Sequence, residues 1–283
     1  MRRGTAVAEI VAVFAATHTP LFLLRRNDPA QDVQDEVFSC YEGIGKAMID
    51  RGAEALVIFG NDHLHAFFLD RYPSLAVGVQ PAYRNVTSEA YMPEVEGGRP
   101  GDEKLGSYLV KALLDGDFDP TVCQEIGIDH SLVSPLYLMG DPAIPMVPIL
   151  QNTVAPPLPP ARRSYQLGIT VRRALEAYSG ADRVAILATG GPSHWIGTPE
   201  LGRIDEEWDG KVIDLLREGN PRRLSEWSQK EIDAGGNGGN EIRAWLSAAA
   251  LAGGTPADLL VYRPEPLWFL GVTALEWKVG PAL

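Results

Sequence analysis

The spacing of apolar positions changes repeatedly along this chain. Residues 9–16 form a continuous β-rich apolar run, the pattern of a strand buried on both faces. Between 31 and 51 the period lengthens. Val33, Val37, Phe38, Tyr41, Ile44 and Met48 recur at helical spacing, and Gly52 follows as a helix-ending glycine. Strand character returns at 55–59 and 75–79. Residues 81–102 are polar and rich in proline and glycine, a long loop of the kind that often carries function. A helix is predicted over 103–114. Residues 144–150 read as a strand whose prolines suit a sheet edge, and 156–160 as a rigid connector. A helix over 161–178 precedes a strong strand at 183–189. Helices over 204–217, 221–232 and 241–251 and strands at 258–262 and 268–274 complete the pattern.

Alternation of strands and helices predicts an α/β fold, a three-layer α/β/α domain. It continues across the proline connector, so residues 1–283 read as a single domain. No internal repeat interrupts it.

Composition narrows the function classes. Apolar residues make up 45% and charged residues 22%, which excludes global disorder. The net charge of −12 lacks the footprint of a nucleic-acid binder and disfavours docking on anionic membrane. It leaves a small anionic substrate open, because a site can be locally positive. Two cysteines, Cys40 and Cys123, with no CxxC, suit reduced thiols in a cytoplasm. Arg2-Arg3 ahead of an apolar stretch has the outline of a secretory signal. Glu9 interrupts that stretch, which therefore reads as the first strand.

Candidate chemistry lies in the five histidines. His18, His63 and His194 each stand just past the carboxyl end of a predicted strand, the edge where open α/β sheets bind ligands. A single loop histidine needs no function, but three so placed suggest a metal or acid–base site. His65, two residues after His63, offers a chelating pair or a supporting role. The loop 234–240 is neither a P-loop nor a dinucleotide-binding turn. It reads either as a flexible connector, with Asn240 capping the next helix, or as the means of bringing Glu241 to the site. Two neutral histidines and one carboxylate make the facial triad of non-haem Fe(II) oxygenases.

Four segments then resemble a known family. They are Ala16-Thr17-His18-Thr19-Pro20, Gly60-Asn61-Asp62-His63, Gly190-Gly191-Pro192-Ser193-His194 and Gly238-Gly239-Asn240-Glu241. A fifth, Ile128-Asp129-His130, joins them. In this order they resemble the class III extradiol ring-cleavage dioxygenases, typified by the catalytic β subunit of protocatechuate 4,5-dioxygenase. The resemblance implies a mixed sheet between two helical layers. It implies Fe(II) held by His18, His63 and Glu241, with His194 as catalytic acid–base and His130 meeting the substrate hydroxyl or the oxygen. Asn61 and Asp62 would stand behind the ligands. The implied reaction opens a protocatechuate- or gallate-like catechol with O2. The implied partners are that small aromatic substrate and O2. No nucleic acid or membrane is expected among them. A homodimer or a separate small lid subunit would cover the site, unless the 81–102 loop does so.

Three other readings accompany this one: a 2-aminophenol-type ring-cleaving enzyme of the same superfamily, a non-catalytic binding or scaffold relative, and a zinc hydrolase, which two His and one Glu also describe. The substrate-binding residues are not identified by the motifs. Arg84, Arg243 and Arg263 are residue types that meet a ring carboxylate, though surface roles are the ordinary expectation for each.

Overall fold

Side chains of the first strand divide between two cores. The computed structural model describes residues 8–281. In β1 (Glu9–Thr17), Val13 and Ala15 face one helical layer, while Ala12, Phe14 and Ala16 face the other. This two-residue alternation with apolar side chains on both faces is why the run reads as uninterrupted hydrophobic sequence.

The remaining strands are β2 (Ala55–Gly60), β3 (Leu75–Gly78), β4 (Ala82–Tyr83), β5 (Arg99–Pro100), β6 (Thr121–Cys123), β7 (Met146–Gln151), β8 (Arg183–Gly190), β9 (Ala257–Glu265) and β10 (Leu270–Trp277). Eight of them form one sheet in the order β6-β3-β7-β2-β8-β1-β10-β9. The central β7-β2-β8-β1 are parallel, and antiparallel pairings flank them, so the sheet is mixed. The helices are α1 (Leu21–Leu24), α2 (Gln31–Asp50), α3 (Glu103–Asp115), α4 (His130–Leu138), α5 (Ala161–Leu175), α6 (Glu206–Arg217), α7 (Pro221–Ser225), α8 (Gln229–Asp233) and α9 (Ile242–Leu251). Helices α3, α5, α6 and α9 cover one sheet face, and α2 and α4 the other. The fold is the expected α/β/α arrangement around a mixed sheet.

Four local expectations are corrected. The 81–102 segment is more than a loop, since β4 and β5 pair within it and a 3-10 turn spans Thr87–Glu89. Strand β7 lies inside the sheet despite Pro148; the β3 ladder registers only Ile149, Leu150 and Gln151, so Pro148 stands beyond it. The helix predicted over 221–232 is two helices, because Ser228 is extended and caps α8 in a reciprocal pair with Glu231. Asn240 does not cap α9. It lies in a 3-10 turn (Gly238–Glu241) leading into that helix. Helix α4 escapes prediction because almost every side chain in it is buried, leaving no polar face, and Pro135 sits inside it.

Helices α5 and α9 approach backbone to backbone at Gly168, where an added Cβ would lie 2.0 Å from the Ser247 carbonyl oxygen. Glycine to alanine in a helix ordinarily stabilises by about 0.5–1 kcal/mol. Here Gly168→Ala is expected to destabilise by about 1–3 kcal/mol, as overpacking does. A urea midpoint equal to or above wild type would show that the two helices can separate freely.

Candidate active site

The strands β2, β8 and β1 are neighbours, and their carboxyl ends open on one edge of the sheet. His18 follows β1 directly, and its backbone N–H donates to the Gly190 carbonyl at the end of β8, 3.1 Å away. His63 stands three residues past β2 and His194 four past β8. Glu241 enters from the opposite side at the end of the 3-10 turn. The glycine-rich segment is packed, not a loose connector, for Gly238, Gly239, Asn240 and Glu241 are all buried.

Three donor atoms converge. His18 Nε2 lies 3.4 Å from His63 Nε2 and 3.3 Å from Glu241 Oε1, and His63 Nε2 lies 3.0 Å from the same oxygen. Ligands about 2.1 Å from one ion and at right angles to each other stand about 3 Å apart. The donor set therefore fits a metal ion. His130 widens the cluster: one ring nitrogen each from His18, His63 and His130 falls within 4.8 Å. The His130 ring stacks on His63 at 4.2 Å between centroids. Glu241 Oε2 is buried and makes no hydrogen bond to the protein, leaving a lone pair for a bound group.

Burial and neighbouring charges pull these groups in different directions. Burial lowers the His18 pKa and outweighs the attraction of Glu241, so His18 presents a neutral ring. Burial opposes charge on Glu241, but His18 and then His194 hold its carboxyl well below the usual range. For His63, too, burial disfavours the cation, yet Asp129 and Glu241 together raise its pKa well above the usual value. The negative charge focused here favours a cation among the side chains.

Partner residues fix the rings. His63 Nδ1 donates to Asp129 Oδ2 at 3.0 Å, and the His63 backbone N–H donates to the same oxygen at 2.8 Å. This leaves Nε2 as the ring nitrogen facing the other donors. Asp129 also caps α4 by accepting the Ser131 N–H, so one carboxylate starts a helix and orients a ring. His194 Nδ1 donates to the Pro192 carbonyl at 2.8 Å, directing its Nε2 toward Glu241 Oε2, 3.7 Å away. Its loop is pinned by Asp209, which accepts from Ser193 N–H at 2.7 Å and from the Tyr262 hydroxyl at 2.8 Å. Glu89 reaches His130 from the 81–102 segment, accepting from its Nδ1 at 2.5 Å and its backbone N–H at 2.6 Å.

Of the residues singled out in the sequence, His18, His63, His130, His194, Glu241 and Asn61 meet at this point. The Asn61 amide lies 3.2 Å from His63 Nε2 and 3.4 Å from Glu241 Oε1. Asp62 instead ties down the following turn, accepting from the backbone N–H groups of His65, Ala66 and Phe67. His65 turns away from the three donors toward Ser88 and Glu89. Asp129, Glu89 and Asp209 were not singled out as site residues. Only Asp129 carried a signal, its place beside His130. The three arginines are elsewhere. Arg243 is fully buried, against the surface expectation, and is consumed by Pro159, Asn240 and Gln229. Arg263 pairs with Glu36, and Arg84 is exposed. The cleft above the donors is lined instead by Arg162. No helix among the described residues is long and apolar enough to cross a membrane.

Known proteins resemble this chain along nearly its whole length. The chain is 26% identical over 315 residues to a 2,3-dihydroxyphenylpropionate/2,3-dihydroxicinnamic acid 1,2-dioxygenase of Photorhabdus laumondii, covering 94% of this chain and 96% of that one. The Rhodococcus jostii enzyme of the same name is 27% identical over 311 residues, covering 92% and 96%. In fold, the chain is similar to the crystal structure of uncharacterized protein JW3007 from Escherichia coli K12, with a TM-score of 0.61 and 17% identity, covering 94% of this chain and all of that one. The family described as the catalytic LigB subunit of aromatic ring-opening dioxygenase matches residues 12–272. That span takes in the strand ends, the three convergent donors and both helical layers, and the chain belongs to this family, the class III extradiol ring-cleavage dioxygenases.

Proposed function

We propose that the protein is an Fe(II)-dependent extradiol dioxygenase that opens catechols bearing a side chain beside the diol, in a single catalytic domain. The observation that carries this reading is the convergence of His18 Nε2, His63 Nε2 and Glu241 Oε1 within 3.0–3.4 Å of one another, below the free Nε2 of His194. The relatives' named substrates favour a ring with its side chain next to the hydroxyls over a protocatechuate or gallate ring. Two histidines and one glutamate leave open positions for two substrates.

Bound there, Fe(II) supplies a Lewis acid and a conduit for electrons between diol and dioxygen. The chain supplies the rest. His18 presents a neutral nitrogen, His63 does so once metal binding displaces its proton, and Glu241 supplies the compensating charge. His194 Nε2 takes a proton from the diol hydroxyl and returns it as the ring opens. His130, held by Glu89 at Nδ1, offers its other nitrogen to the substrate oxygen. Asn61 donates toward the Glu241 carboxylate.

Oxygen uptake by protein reconstituted with Fe(II) without air tests this, using 2,3-dihydroxyphenylpropionate. Uptake matched by a yellow ring-opened product is expected. Uptake absent with Fe(II), joined by ester or amide hydrolysis with Zn(II), would replace the proposal with the zinc reading.

Asp129→Asn weakens the acceptor that orients His63 and is expected to lower Fe(II) affinity about 10- to 100-fold. Anaerobic metal titration measures it, and unchanged affinity would remove Asp129 from the metal-orienting role. At Gly238 an added Cβ would stand 2.1 Å from His194 Nε2. Gly238→Ala therefore displaces that ring, and kcat is expected to fall about 10²-fold with iron retained. Turnover close to wild type would mean that the ring position does not matter.

A further inference from the structure

The cleft above the donors is much larger than one catechol ring. Its volume is about 1140 Å³, just above the range of about 300–1,000 Å³ that holds drug-sized ligands. His63, Glu241 and Asn240 join the cleft to the donors, and the apolar side chains of Leu64, Val154, Leu158 and Trp227 make the rest of its wall, the arm, mainly apolar. A bare catechol would leave that arm filled with water against apolar side chains.

Two backbone features build this wall. Leu64 directly follows His63 and has φ of 63°, in the left-handed region where a leucine is an outlier. Glycine would occupy that conformation freely, so the strain is borne with a leucine side chain at the cleft. Leu158 stands between Pro157 and Pro159, whose rings fix φ and hold the connector rigid. The wall is formed before any ligand arrives. Arg162, in the first turn of α5, is the one lysine or arginine among the described lining residues.

We propose that the arm is a substrate-selecting subsite for a bulky, flat, apolar substituent, so that the preferred substrates are catechols carrying an aryl or fused-ring group beside the diol. Arg162 marks the rim where a terminal carboxylate on such a group would emerge. This rests on the extradiol reading above. Its test uses the full-length, Fe(II)-loaded protein with catechol, 3-methylcatechol and 3-phenylcatechol. Burying an extra ring lowers free energy enough for about a 10- to 100-fold gain. Both kcat/KM for oxygen uptake and, without air, the calorimetric Kd are expected to improve by that factor from catechol to 3-phenylcatechol.

Leu64→Gly removes part of the wall while relaxing the backbone, and Leu158→Ala removes another part. Each is expected to shrink the preference for the phenyl compound several-fold. A flat or reversed series in Kd, or a preference untouched in both variants, would overturn the subsite. No oxygen uptake with any compound, but a preserved binding preference, would overturn the extradiol reading and leave the subsite standing. Uptake equal for all three compounds would overturn the subsite alone, as expected if the volume is filled by another chain.

Discussion

Glu241→Ala is expected to cost at least about 100-fold in Fe(II) affinity, more than losing a residue that only orients a ligand. Glu241 is the one carboxylate of the convergent set. Without it two neutral imidazoles face a divalent cation with no compensating charge. The chain's stability should not follow the affinity down. Glu241 is buried with its Oε2 unbonded by the protein, an arrangement that serves binding at the expense of the fold. The thermal midpoint measured in chelator is therefore expected to stay at or above wild type. Anaerobic titration with Fe(II), read by metal analysis after desalting, decides the matter. Near-normal iron occupancy would sink the ligand assignment. Lost iron with a collapsed midpoint would recast Glu241 as a structural residue.

His194→Ala is expected to separate binding from chemistry. Its Nε2 is 3.7 Å from Glu241 Oε2, farther than the three donor atoms are from one another, and its Nδ1 is committed to Pro192. Iron content should remain close to wild type. Turnover should fall about 10²- to 10⁴-fold, the usual contribution of a positioned acid–base group. The loss should appear in kcat with KM little changed, because proton transfer is made only on the way to the transition state. A loss of less than about tenfold would make His194 peripheral. Loss of iron as well would make it a ligand.

Much of this was legible in the chain because the strands are buried on both faces and therefore advertise themselves. β1, β2 and β8 are continuous apolar runs, and the histidines just beyond them mark the functional edge without any structure. The helices α2, α3 and α5 were legible for a different reason, one wet face and apolar positions at helical spacing. What escaped lacks a local signature. Helix α4 is buried almost all round, and the break between α7 and α8 depends on one capping serine. Strand β6 is three residues at the sheet edge. Among site residues, Glu89 reaches His130 across 41 positions of sequence, and Asp209 supports the His194 loop from a helix that reads as ordinary amphipathic surface. Such contacts arise from packing and leave no periodic trace. Arg243 shows the reverse error: a charged residue type suggested surface, while the fold surrounds it with acceptors.

A single turnover under ¹⁸O2 tests the central claim most directly. Fe(II)-loaded protein would be mixed with 2,3-dihydroxyphenylpropionate and the product analysed by mass spectrometry. The expected product is opened beside the diol, with both carbons that bore hydroxyls still joined, and it retains both labelled oxygens when quenched before exchange. A product cleaved between the two hydroxyls, or one opened without labelled oxygen, would contradict extradiol dioxygenation at this site.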